Sequence, residues 1–429
     1  MYNRLVDYLE SNNLLDNEQH GFRSGRSVMT AAVEFIESII NSADMGDIVI
    51  ALFMDLSKAF DSVSHKVLIK VLSRLGIKGP MLSWFKSYLT NRQQYVEITK
   101  LINNRFISYK SQLRIIKHGV PQGSILGPLL FLCYIKGLPQ IITGNGNNKM
   151  CLYADDANLK VSGSSMEDIV LTMIENLTRL CNFFHEKQLL LNFSKTNFMH
   201  FQPKNQKQFS NSAEITFDNN VIEEVTHTKF LGLIIDSNLK WDLHVDAVAK
   251  KVSSGLYALY KMAPICNLET LKIIYFAYIQ SNITFGISIY GATAKKNLDR
   301  LLILQKRAIR IILDLKWRES VKDHFETLGF MTVYSLYIYE TILYTKLHAN
   351  NLHVLGEYHN YDTRGRNNIA TPAHKLKFFE KKTSYAGGKF YNRLPNFIKN
   401  EVNNYKFKAL LKSYLISKPL YSIEEYYAE

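Results

Sequence analysis

Apolar positions along this chain change their period several times, and each change marks an element. From Val28 to Ile40 they recur at helical spacing (Ala32, Phe35, Ile36, Ile39), and Gly46-Asp47 then precedes the continuous apolar run Ile48–Met54, which ends at Asp55. This reads as helix, turn, strand. Ser62 and Ser64 offer N-caps for a helix carrying Val67, Leu68, Val71, Leu72 and Leu75, stopped at Gly76, and Pro80 opens a second through Trp84 and Tyr88. Gln94–Ile98 and Phe106–Lys110 read as a polar hairpin, and the turn Gly119–Ser124 leads into a helix over about 127–138. Met150–Tyr153 and Ala157–Val161 read as short strands around a tight turn, followed by a strongly periodic helix with Ile169, Met173, Leu177, Leu180 and Phe184 on one face. Strands are expected at 197–202, 214–217 and 229–235. Beyond Trp241 the period is helical, over about 245–262, 268–284 and 295–315. Polar loops are expected at 143–148 and 204–212, and the tail from about Trp317 carries turn signals at Arg364-Gly365-Arg366, Gly387-Gly388 and Leu394-Pro395.

Composition narrows the class. With 429 residues, 47% hydrophobic and 12% aromatic, the chain can build the cores of two or three domains, and its formal charge of +14 favours a polyanionic partner. Cys133, Cys151, Cys181 and Cys266 are widely spaced with no zinc-like pairing, and read as reduced core cysteines of an intracellular protein. No charged-then-apolar leader opens the chain. The stretch Ile273–Ala292 has Gln280, Asn282 and Thr284 at its centre, so it reads as a buried helix and no membrane partner is expected.

Two adjacent carboxylates after an apolar run, Tyr153-Ala154-Asp155-Asp156, are costly to build unless a cation offsets their repulsion and desolvation. Asp55 ends a second apolar run. Two strands presenting acids to shared Mg²⁺ ions is the arrangement that polymerases use.

Six blocks in order resemble the reverse transcriptase of non-LTR retrotransposons, the jockey-like group in particular. They are Gln19–Ser27, the Asp55 segment, Val120–Pro128, Tyr153–Asp156, Leu191–Thr196 and Phe230-Leu231-Gly232. The resemblance implies an α+β fold, a right-hand polymerase whose palm is an antiparallel sheet packed on helices, with truncated fingers and an all-helical thumb. It divides the chain into partial fingers (1–46), palm with fingers insertions (47–241), thumb (242–320) and a helical or irregular carboxyl-terminal region (321–429). The family's fingers begin upstream of Gly21-Phe22-Arg23, and its elements usually carry an endonuclease, so the sequence reads as the carboxyl-terminal part of a longer polyprotein.

The resemblance also implies roles. Asp55 and Asp155 would hold two Mg²⁺ ions for in-line displacement at the α-phosphorus, with Asp156 an accessory acid. Phe60 would lie beneath the sugar of the incoming nucleotide and exclude a 2′-hydroxyl, although a plain core aromatic is its other reading. Gln122 and Gly123 would line the nucleotide and template pocket, with Arg23 contributing, and Lys195 would neutralise or protonate the leaving pyrophosphate. Backbone amides over 56–60 could cradle phosphate, and Asp61 fits a helix N-cap. Phe230, Leu231 and Gly232 resemble the primer grip. The segment Lys295–Arg318 carries eight Lys or Arg against two Asp, beside an apolar stripe, and would present its cationic face to a template–primer duplex.

The expected partners are therefore an RNA template, a DNA primer and deoxynucleoside triphosphates, with a ribonucleoprotein in cytoplasm and nucleus as the setting. A catalytically dead remnant that keeps nucleic-acid binding is the competing reading, and a host-adopted RNA polymerase or telomere-maintaining enzyme is a second. Phe60 disfavours ribonucleotide synthesis.

Overall fold

The computed structural model describes residues 1–142, 148–202, 215–348, 353–357, 366 and 368–428. The expected loops at 143–148 and 204–212 fall largely outside these, as do Arg364 and Gly365. The chain forms two compact units: one of residues 1–31, 48–200 and 208–225, the other of residues 32–47, 201–207 and 226–429. Residues 32–46, assigned above with the partial fingers, and Asp47, assigned with the palm, fall in the second unit.

The first unit is built on a six-stranded sheet. Its strands, with two flanking ribbons, are β1 (Ile48–Met54), β2 (Gln93–Gln94), β3 (Glu97–Ile102), β4 (Arg105–Lys110), β5 (Arg114–Ile115), β6 (Lys149–Tyr153), β7 (Asp156–Gly163), β8 (Asn197–Phe201), β9 (Ile215–Phe217) and β10 (Asn220–Glu224). The sheet order is β6-β7-β1-β8-β10-β9. β7 pairs antiparallel with β6 and with β1, so the two acid-bearing segments share one strand. All seven residues of β1 are buried, which is why its apolar run is continuous rather than alternating. Ile48, Ile50, Leu52 and Met54 share a core with the almost wholly buried helix Leu126–Ile135 and with Met173, Leu177 and Leu180 of the helix Met166–Glu186. β10 was not anticipated.

The hairpin β3–β4 stands where one was expected, but it is not polar: every residue is exposed, including Ile98, Leu101, Phe106 and Tyr109. Ser62 lies inside the short helix Ala59–Ser62, and Ser64 precedes the helix His65–Arg74 without a side-chain cap bond. Of the four cysteines, all free, Cys133 and Cys151 are core residues, whereas Cys181 and Cys266 are only half-buried.

The second unit is mostly helical. The single strand expected at 229–235 is a hairpin of β11 (His227–Phe230) and β12 (Leu233–Asp236), reversed by Leu231 and Gly232 at positive φ (48° and 85°). The helix expected over 268–284 is present with a π turn at Phe276–Gln280. Gly387 and Gly388 make no turn. They lie in the helix Thr383–Asn392, where a Cβ on Gly387 would sit 1.9 Å from Thr345 Oγ1, so their smallness admits the helix Val333–Leu347. Among the described residues no helix is long and apolar enough to cross a membrane.

His244, in the helix Asp242–Met262, is buried against Tyr290, its Nδ1 accepting the Ile234 N–H at 3.2 Å. Burial, helped by Lys251, pushes its pKa down to about 4. The unfolded chain takes up this proton near pH 6.5, about 2.5 pH units earlier, so stability held above pH 6.5 is lost as pH falls towards 4. Urea unfolding should show a loss of about 2–3 kcal/mol between pH 7.5 and 4.5 attributable to this residue. In His244→Gln that part of the slope should vanish.

Candidate active site

β1 ends with Met54 opposite Ala157 of β7, so Asp55 emerges beside the turn that joins β6 to β7. In that turn Tyr153 pairs with Asp156, Ala154 takes a left-handed φ of 56° and Asp155 is half-buried. Burial lifts the Asp155 carboxyl above its ordinary range, its own backbone N–H opposes the rise, and the neighbouring Asp55 carboxylate adds to it. Asp156 is exposed. The two acids, a hundred positions apart in sequence, are thus electrostatic neighbours on one end of the sheet.

The loop Leu189–Lys195 runs along the Asp55 strand end. Leu190 C=O accepts from Ser57 N–H at 2.9 Å, and Asn192 N–H donates to Asp55 C=O at 2.9 Å. The Asp55 carboxylate accepts from Asn192 Nδ2 at 3.3 Å and faces Lys195 Nζ at 3.2 Å. Lys195 is 67% exposed, so its ammonium can leave Asp55 at little cost.

Phe60, half-buried, stacks on Phe131 with ring centroids 4.5 Å apart and meets Phe22 edge-on at 6.4 Å. Asp61 is not an N-cap: it lies inside the short helix and its carboxylate accepts from Gln122 Nε2 at 2.9 Å. The loop holding Gln122 is laced to this segment, since Gly119 N–H donates to Val63 C=O at 2.8 Å and Val120 N–H to Phe60 C=O at 2.9 Å. Gly123 (φ 80°) is exposed with open space about its Cβ position. Asp55, Asp155, Phe60, Gln122, Gly123 and Lys195 all belong to the first unit.

Arg23, expected to contribute at the nucleotide, is engaged by its neighbours in the first unit. Its guanidinium forks onto Glu10 (2.9 and 2.6 Å) and donates to Asp16 C=O at 2.7 Å, and its side chain is only 9% exposed. That hydrogen bond in turn holds Glu10 below its usual carboxylate range.

Sequence reasoning missed the residue that fixes the acidic turn. Gln19, 3% exposed, accepts with Oε1 from Ala154 N–H (3.0 Å) and Gly21 N–H (2.8 Å), and donates from Nε2 to Ala154 C=O (3.3 Å). Residues 18–20 line up beside β6, with His20 N–H donating to Leu152 C=O and Leu152 N–H to Glu18 C=O, each at 2.9 Å. Its only signal was membership of the Gln19–Ser27 block.

In the second unit Phe230 is core, packed on Phe35 at 5.1 Å, while Leu231 and Gly232 form the hairpin tip. The stripe Leu298, Leu301, Leu302, Ile309 and Ile312 of the helix Lys295–Leu313 is buried, and Lys295, Lys296, Arg300 and Arg307 are exposed.

A family model described as "Reverse transcriptase (RNA-dependent DNA polymerase)" matches residues 1–235. The chain belongs to the reverse transcriptase family. Among curated proteins it is 28% identical over 319 residues to the probable RNA-directed DNA polymerase from transposon BS of Drosophila melanogaster, covering 73% of this chain and 34% of that protein. It is 23% identical over 328 residues to the RNA-directed DNA polymerase from mobile element jockey of the same species (75% and 34%). Within the family, its resemblance is to this jockey-like group. The chain spans about a third of the length of these relatives. Solved structures of telomerase from Candida tropicalis, apo and in complex with a fragment of telomeric RNA, align at 12% and 11% identity. They cover 79% and 96% of this chain and 52% and 56% of theirs, each with a TM-score of 0.39.

Reverse transcriptases generally use divalent metals, and the acids present suit them. Asp155 is half-buried with the Asp55 carboxylate beside it, and its raised carboxyl pKa reflects burial and that second acid. Among the described residues no group of three or more His, Cys, Asp and Glu gathers anywhere in the chain.

Proposed function

We propose that this chain is the RNA-directed DNA polymerase of a jockey-like non-LTR retrotransposon, extending a DNA primer on an RNA template with deoxynucleoside triphosphates. The observation that carries the reading is the meeting of Asp55 and Asp155 at the shared end of β1 and the β6–β7 turn. Asp55 and Asp155 would hold two Mg²⁺ ions, which supply the positive charge that activates a primer hydroxyl and offsets charge developing on the triphosphate. Asp156, exposed, is an accessory acid.

The chain's own residues account for the rest. Lys195, paired loosely with Asp55, is a mobile cation able to swing to the departing pyrophosphate and protonate or neutralise it. Gln122, steered by Asp61, and the open backbone at Gly123 line the face where nucleotide and template bases would lie. Phe60 is backed by its stack on Phe131, a support that would resist displacement by a 2′-hydroxyl. Phe60→Ala should therefore raise ribonucleotide incorporation relative to deoxynucleotide by at least about tenfold, roughly 1.4 kcal/mol of discrimination. Competing the two nucleotide types in single-turnover extension measures it, and an unchanged ratio removes the gate. In the second unit, Leu231 and Gly232 at the hairpin tip and the exposed cations of the helix Lys295–Leu313 would hold primer and duplex.

The test is extension of an oligo(dT) primer on poly(rA) with dTTP and Mg²⁺. Extension that stops on chelation supports the enzyme. A chain that binds the primer–template tightly yet never extends it is the dead remnant instead.

A further inference from the structure

The second unit holds a cavity of about 870 Å³, of whose lining only Lys295 and Lys296 belong to the cations assigned above to the duplex. Six lysines line it, Lys240, Lys295, Lys296, Lys377, Lys381 and Lys389, against three carboxylates, Asp242, Glu380 and Glu424. The carboxylates do not cancel the charge. Lys295–Glu424, Lys296–Asp242 and Lys389–Glu380 stand 3.8, 3.6 and 4.0 Å apart on exposed side chains, and such pairs are weak enough to yield to phosphate. Lys240 and Lys377 form no ion pair among the described residues.

Three further features point to a ligand class. Residues 291–296 line the cavity, so the 19-residue helix Lys295–Leu313 starts there, and its N-cap Ala294 supplies no side-chain bond to the first N–H groups, which favour a phosphate. The half-buried rings of Phe378 and Tyr427 are in the wall. Lys296 also lines a second cavity of about 930 Å³ along the same helix, with Lys250, Arg300, Arg307 and one carboxylate, Asp299, so cations outnumber acids there too. A space of this size falls in the range of about 300–1,000 Å³ typical of small-molecule sites, enough for a short run of single strand. Ammonium groups along a backbone path with aromatic rings for bases is the pattern by which single strands are held.

We propose that this cavity binds a single-stranded segment of nucleic acid, its phosphates on Lys240, Lys377 and the start of the helix Lys295–Leu313 and its bases against Phe378 and Tyr427. The inference rests on the polymerase reading for the kind of partner, and extends it to a binding site within the second unit.

The experiment uses the full chain and fluorescence anisotropy with a ten-nucleotide RNA strand, the same sequence as DNA, and a blunt hairpin duplex. Lys240→Glu/Lys377→Glu, both on exposed side chains, should weaken single-strand binding about tenfold or more and lower its salt slope by about 1–2, while Arg300→Glu/Arg307→Glu weakens the duplex. Loss on RNA alone assigns the strand to RNA, and loss on both strands assigns recognition to the phosphate backbone. A 4-thiouridine strand on the unaltered protein should crosslink to peptides carrying Phe378 or Tyr427. Unchanged strand affinity in the Lys240/Lys377 variant, with crosslinks elsewhere, overturns the proposal. So does a poly-glutamate peptide whose binding falls while strand binding holds, which makes the partner an acidic protein segment. Primer extension by the unaltered chain reads the other question independently: extension with no Lys240/Lys377 effect sinks the cavity alone, and no extension with the effect present sinks the polymerase reading alone.

Discussion

Asp155→Asn should cut the primer-extension rate by at least about a thousandfold, roughly 4 kcal/mol in the barrier, while primer–template affinity stays within about twofold. The substitution keeps shape and removes charge, so it separates metal holding from packing. It also carries a second, opposite signature. Burial and the adjacent Asp55 hold the folded-state carboxyl above its ordinary value, so the charged form costs the fold something at neutral pH. Removing that charge should leave the thermal midpoint unchanged or slightly higher. A structural acid would behave the other way, losing stability with little loss of rate. Asp55→Asn should give a similar rate loss, and the double variant little more than either alone, because both act on one cluster. Asp156→Asn, altering an exposed side chain, should cost far less. A single-turnover assay at saturating primer–template, run beside thermal denaturation, reads both signatures. Normal extension by Asp155→Asn would remove the catalytic assignment.

What the sequence made legible follows from how local each signal is. β1 was readable because seven consecutive buried residues leave no ambiguity of period, and the acidic turn because a short apolar run stands on each side of it. The meeting of Asp55 with Asp155 depended on β7 pairing with both neighbours, a register that the two acid-ended apolar runs suggested but could not specify. Features resting on a single distant contact were not readable. Arg23 looks like a free basic residue until Glu10, thirteen positions away, closes on it. Gly387-Gly388 looks like a turn until Thr345 presses against it. β11 and β12 read as one strand because Leu231 is an apolar residue in a left-handed turn conformation, where pattern expects glycine or asparagine. The exposed apolar side chains of β3–β4 defeat the rule that an alternating strand buries one face.

Gly21→Ala tests the other half of the site, the support rather than the acids. An added Cβ would lie 2.4 Å from Ala154 N, 3.1 Å from Ala154 Cα and 3.1 Å from Gln19 Oε1. Neither backbone atom belongs to a flexible side-chain end, so something must move, and the movable part is the Tyr153–Asp156 turn with Asp155 on it. A shift of about 1 Å at a reacting group can cost about a hundredfold, so kcat should fall by that order while KM for primer–template changes little. Gln19→Ala reaches the same turn by another route. It leaves the buried Ala154 and Gly21 N–H groups without their acceptor, which should cost about 1–3 kcal/mol of stability as well as rate. Gly25 is the contrast within the same block: nothing lies within 4 Å of its Cβ position, and its φ of 72° means that alanine there brings backbone strain without pressing on the acids. Gly25→Ala should lose up to about 1 kcal/mol of stability and keep its extension rate. If Gly21→Ala and Gly25→Ala lose activity in equal measure, the block acts through general folding and not through the turn that carries Asp155.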